Sequence, residues 1–160
     1  MPEQSPPKRS RAIVLILLAA GLLVTSWLFS QQKETDIILI TFPDGTVLET
    51  EVADTPEKIF FGLAFRDALP PDTGMLYIFE TTDRHKAQTK GFRFPVDMIW
   101  VDESRHIVSV QEAIPPCTTD SCPSYGPEQG KVRYLIEVQA GYVKSKKIEA
   151  GAELKYTLRL

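Results

Sequence analysis

Histidine and cysteine are scarce in this sequence, with two of each among 160 residues. That excludes a multi-disulfide scaffold. Neither His85 nor His106 stands at metal-ligand spacing from another ligand, so no metal and no cofactor are expected. There is no Gly-x-Ser-x-Gly elbow and no histidine placed beside a serine by local sequence, which removes the common nucleophile signatures. A positive excess is missing too. The formal net charge is −3; the first thirty residues contribute +2, so the remainder carries −5. An acidic domain without a basic stripe is no candidate for nucleic-acid binding. No internal repeat is present.

What is there begins with one dense apolar run. Ala12 to Phe29 holds 18 residues and no charge. As a helix it would rise about 27 Å, near the thickness of a bilayer's hydrocarbon core. Lys8, Arg9 and Arg11 precede it, and basic residues stay on the cytoplasmic side. Trp27 near the far end suits the head-group layer. The run is therefore read as a transmembrane signal anchor over 12–29, binding the lipid bilayer. The cytoplasmic tail is 1–11, the linker 30–35, and an extracytoplasmic domain spans 36–160. A cleaved signal peptide, which would leave the domain secreted, is the competing reading; the long run and the bulky exit Trp27-Leu28-Phe29 favour the anchor.

The rest reads as a β-rich chain. Asp36–Phe42 and Thr46–Ala53 form a hairpin around Asp44-Gly45. Thr55-Pro56-Glu57 starts a helix running to about Ala64, with Ile59, Phe60 and Leu63 packing on a sheet. Further strands are read at Gly74–Glu80, Val96–Val101, His106–Ile114, Val132–Val138 and Glu153–Leu160, with one or two helical turns at Gly141–Lys147. Most connections between strands are too short for a parallel crossover. The expected fold is mainly β, a compact antiparallel barrel-like sheet with one or two short helices, behind an N-terminal transmembrane helix.

Cys117 and Cys122 lie in a Pro-rich loop with four residues between them. On an oxidising side a structural disulfide is the simplest reading. A redox-active pair would lack the usual Cys-x-x-Cys spacing, and free thiols follow if the topology is reversed.

Five ordered stretches resemble a known family: Gly62-Leu63-Ala64-Phe65-Arg66; Leu69-Pro70 with Gly74-Met75-Leu76-Tyr77-Ile78-Phe79; Lys90-Gly91 with Phe94-Pro95-Val96-Asp97; Pro115-Pro116-Cys117 with Cys122-Pro123-Ser124-Tyr125; and Tyr134-Leu135-Ile136-Glu137-Val138 with Ala140-Gly141. Together they are similar to domain of unknown function 192, prokaryotic proteins often secreted or membrane-anchored. The resemblance covers Ile37 to Leu160. It implies a compact β-rich fold with a short helix and no activity, because the family has none established. Gln88-Thr89 departs from the family pattern, in which an aromatic residue and methionine often precede the lysine.

Asp97 stands in an apolar strand, and a buried carboxylate needs a partner. Arg66 and Lys90 are the candidates. Arg66, Lys90, Asp97 and Tyr125 are accordingly read as a polar cleft for an anionic or hydroxyl-rich ligand, since arginine offers a planar fork of donors. The competing structural reading is an Arg66–Asp97 ion pair fixing helix to sheet. The functional expectation is a binding or accessory module of the cell envelope, contacting an envelope protein, a polymer or a small ligand. The alternatives are an envelope hydrolase with Asp97 as acid/base and a structural partner in a larger complex.

Overall fold

The computed structural model describes residues 8–30 and 37–158, with side chains of the first stretch described over 13–25. It divides into two units, Met1–Glu34 and Thr35–Leu160.

The first unit holds one helix, α1 (Lys8–Ser30). Lys8, Arg9 and Arg11 fall in its first turn; residues 1–7 lie outside the described ones. The apolar side chains described are exposed all round, Leu22 and Leu23 by more than two-thirds. Among the described residues no helix is long and apolar enough to cross a membrane. The spanning helix expected over Ala12–Phe29 is corrected to that extent.

The second unit contains seven strands and two short helices: β1 (Ile37–Thr41), β2 (Val47–Ala53), α2 (Pro56–Phe61), β3 (Thr73–Asp83), β4 (Val96–Val101), β5 (Ile107–Ile114), β6 (Val132–Gln139), α3 (Tyr142–Lys146) and β7 (Lys155–Leu158). Asp36, Arg159, Leu160 and linker residues 31–35 lie outside the described residues. The β-branched run of β1 pairs antiparallel with β2, Ile40 opposite Leu48. Asp44 shapes the turn by accepting from the Thr46 N–H at 2.9 Å and the Thr46 hydroxyl at 2.7 Å.

The sheet order is β5-β4-β6-β3-β2-β1-β7. The sheet is mixed and open, which corrects the antiparallel barrel. β2 and β3 run parallel, because the connection through α2 is long enough to carry the chain back across the sheet. The two ends approach each other without pairing as strands. One isolated bridge joins His106 to Glu153, and the Ile107 N–H donates to the Ala152 carbonyl at 2.9 Å.

Both faces of the central strands are buried, so these strands read as nearly continuous apolar runs. Alternation sorts their side chains into two cores. One face carries Leu76, Ile99, Val101, Ile136 and Val138, packed with Ile40, Leu48 and Val143. The other carries Met75, Tyr77, Phe79, Met98, Trp100 and Leu135, packed with Leu63, Leu69, Phe92 and Phe94.

Candidate functional site

The face of Tyr77 and Leu135 is hollow. A cavity of about 740 Å³ opens there, within the range of small-molecule pockets. Its floor is β3 and β6, which contribute Tyr77, Phe79, Leu135 and Glu137. One wall is α2 and the turn after it. Thr55 caps α2, its hydroxyl accepting from the Lys58 N–H at 3.3 Å, and Pro56 opens it. The helix stops at Phe61, three residues earlier than the sequence pattern suggests, because the chain must pass over Tyr77. A Cβ on Gly62 would lie 2.0 Å from the Tyr77 hydroxyl, and Gly62 has φ +47°. Only glycine fits there without strain. Phe60, expected to pack on the sheet, is 81% exposed, and Phe61 and Phe65 are also exposed. All three line the cavity.

The opposite wall is made by two stitched loops. Ala87 and Tyr125 exchange backbone hydrogen bonds at 2.9 Å, and the Cys117 N–H donates to the Thr89 carbonyl at 3.1 Å. The Gln88 amide donates to the Cys122 carbonyl at 3.0 Å. The buried Thr89 hydroxyl donates to the Pro115 carbonyl at 2.8 Å. Cys117 and Cys122 form a disulfide, so a cross-linked loop supplies Cys117, Thr118, Thr119 and Asp120 to the rim.

Glu137 is the ionisable group at the floor. It is 1% exposed. Its cross-strand neighbours are Met75 on β3 and Met98 on β4, which offer it no charge. The Tyr77 hydroxyl donates to Glu137 Oε2 at 2.6 Å. Oε1 has no partner among the described residues. Burial pushes the Glu137 carboxyl up to about 8, and the Tyr77 hydrogen bond opposes that rise only in part. Burial first, and the adjacent Glu137 second, hold the Tyr77 hydroxyl well above its ordinary value. A buried acid without a cation is costly, and here it neutralises instead.

The four residues read as a polar cleft are placed apart. Lys90 lines the cavity. Tyr125 packs beside the same core from the stitched loops. Arg66 forms a two-point ion pair with Glu51, at 2.5 and 2.8 Å, and borders a smaller depression with Glu57 and Lys58. That bond lowers the Glu51 pKa and raises that of Arg66. Asp97 is on the other face of the sheet. It is fully buried and accepts from the Ala113 N–H at 2.8 Å and the Val143 N–H at 3.0 Å. Ala113 has φ +52°, and Val143 lies in the first turn of α3, whose capping residue Gly141 has no side chain to cap with. Asp97 therefore holds a left-handed residue and does the capping Gly141 cannot. The pair of Arg66 with Asp97 does not form.

Glu137, Tyr77 and the three exposed phenylalanines are cavity residues to which the sequence reading gave no part in a site. A lone acid in the apolar strand Val132–Gln139 was the available signal for Glu137. Among the described residues no group of three or more metal-ligating side chains forms.

The fold is shared with solved structures. A candidate transcription regulator from Sinorhizobium meliloti is 25% identical, with a TM-score of 0.66 over 77% of this chain and 94% of that one. A protein of unknown function from Novosphingobium aromaticivorans is 20% identical, with a TM-score of 0.65 over 74% of this chain and 83% of that one. No curated protein matches the chain. The family model described as DUF192, Uncharacterized ACR, matches residues 39–156, which takes in every strand bordering the cavity, and the chain belongs to that family.

Proposed function

We propose that this protein is a small-molecule binding module of the cell envelope, taking a largely apolar organic ligand with one polar end into the cavity over β3 and β6. The observation that carries this reading is the cavity itself: about 740 Å³, lined by Phe60, Phe61, Phe65, Phe79 and Phe92, with Glu137 at its floor. Pockets that hold organic ligands combine apolar walls with a few convergent polar groups. Three large phenylalanines exposed around one opening cost solubility, and a ligand or partner covering them offsets that cost.

Placement at the envelope belongs to the same proposal. The apolar side chains of α1 and the basic residues before them support attachment to a bilayer through residues 12–29. The Cys117–Cys122 disulfide supports an oxidising compartment. A hydrolase using Asp97 gains no support, because both oxygens of Asp97 are taken by backbone N–H groups on the far face of the sheet.

Saturation-transfer NMR with 2-naphthol as the probe tests the binding reading on the full chain. Transfer is expected for the unmodified protein and its loss in Ala64→Trp and in Gln88→Trp, which fill the cavity and narrow its mouth. Equal transfer in all three proteins, or none in any, overturns it. A reporter fused after Leu160 tests the placement: activity outside the cytoplasm is expected, and activity only inside it removes the envelope from the proposal.

A further inference from the structure

We infer that the polar end of the ligand is an organic cation, a substituted ammonium group held by Glu137 beneath the phenylalanines of the cavity. This rests on the binding reading above and deepens it by naming the ligand class.

The first argument is the missing charge. Glu137 is buried, its two cross-strand neighbours are methionines, and no cation pairs with it among the described residues. Buried acids elsewhere in the domain are provided for: Asp97 takes two backbone N–H groups. Glu137 has one hydrogen bond, from Tyr77, and that bond is directed at an accepting oxygen. A donor aimed at the carboxyl favours its ionised form. The other oxygen is left for a group that comes from outside.

The second argument is the wall. Five phenylalanines line the cavity. The negative face of an aromatic ring attracts a cation, more so where water is excluded. An ammonium group entering this space comes among phenylalanine rings and the Glu137 carboxyl. A carboxylate ligand would find no cation at the floor to pair with and would push the Glu137 pKa higher still.

The charged groups around Glu137 set how the pairing responds to pH. From β3 it faces the Tyr77 hydroxyl. Behind Tyr77 stands Arg66, already neutralised by Glu51. From the loop walls Lys86, Lys90 and Asp120 reach the rim, where all three are exposed and screened by solvent. Glu137 holds a proton at neutral pH, with its pKa near 8. A permanent cation displaces that proton. Binding therefore releases one proton and weakens on the order of tenfold for each pH unit below 8.

Isothermal titration of the full chain with three probes tests this: benzyltrimethylammonium, its uncharged carbon analogue neopentylbenzene, and phenylacetate. The ammonium is expected to bind tightest, to release close to one proton at pH 7 when buffers of different ionisation enthalpy are compared, and to weaken at least tenfold in Glu137→Gln. Neopentylbenzene should bind Glu137→Gln as it binds the unmodified protein, which shows that the variant is folded and its cavity intact. Neopentylbenzene or phenylacetate binding as well as the ammonium, or ammonium binding indifferent to Glu137→Gln, overturns the cation and leaves the cavity reading standing. Failure of all three probes overturns both.

Discussion

Asp97 on β4 and Glu137 on β6 are buried carboxyls on neighbouring strands, one residue out of register with each other. That single step puts them on opposite faces of the sheet. Asp97 meets two backbone N–H groups and spends both oxygens on them. Glu137 meets two methionines, one tyrosine and open space. The comparison teaches that burial of an acid is not by itself a sign of function. What its oxygens have left over is the sign. An acid saturated by backbone donors is part of the frame; an acid buried with a free oxygen beside a cavity carries a cost that folding alone does not explain.

The strongest way to break this contrast is to remove each acid in turn. Asp97→Ala strands the N–H groups of Ala113 and Val143 in the core. With each orphaned donor costing ~1–3 kcal/mol, the loss is expected to be about 4 kcal/mol. Urea unfolding should show it, with 2-naphthol binding unchanged in the folded fraction. A loss below about 1 kcal/mol would mean that Asp97 does not hold the frame.

Glu137→Gln should have the opposite sign. The folded pKa is about 8 against an ordinary 4.5, so between those values the folded protein binds more protons than the unfolded one. The stabilising contribution of the protonated acid is fully present below about pH 4.5 and is lost as the pH rises through about 8. Glutamine resembles the protonated acid and does not titrate. The variant should gain roughly 3 kcal/mol at pH 7, at 1.4 kcal/mol per pKa unit. Melting temperature against pH measures this. It should fall from pH 5 to 8 in the unmodified protein more steeply than in the variant. Identical slopes would show that Glu137 is not the buried titrating group.

Removing the disulfide sharpens the comparison at the cavity wall. Cys117→Ser with Cys122→Ser should cost at most about 2 kcal/mol, because the closed loop is short. It should also weaken 2-naphthol binding, since Cys117 lines the cavity. Arg66→Ala is the smallest expected effect. Its pair with Glu51 is about a third exposed on each side, so solvent screening holds the loss below about 1 kcal/mol, and binding should not change.

Much of the frame was legible in local sequence. Asp44-Gly45 announced the first hairpin, Thr55-Pro56 the start of α2, and apolar runs or alternating stretches the strands of the sheet. These signals act within a few residues, through turn geometry, capping and side-chain alternation. Five ordered motifs also carried the resemblance to the family that the match over residues 39–156 shows. The sheet was less legible. Its openness and its one parallel pair depend on where the chain goes after α2, and connection lengths alone pointed to an antiparallel barrel.

By itself the sequence determined that a lone acid in a continuous apolar strand would be buried, because such a strand has both faces covered. It offered two such acids, Asp97 and Glu137, written in the same way. Which one would be satisfied and which would face a cavity was decided by residues far away in the chain: Ala113 and Val143 for the first, and Tyr77, Gly62 and the stitched loops for the second. The reason is that hydrogen-bond donors are counted in space. A strand reveals which face a side chain takes relative to its neighbours, while only the packed fold brings donors, or leaves room, at that face.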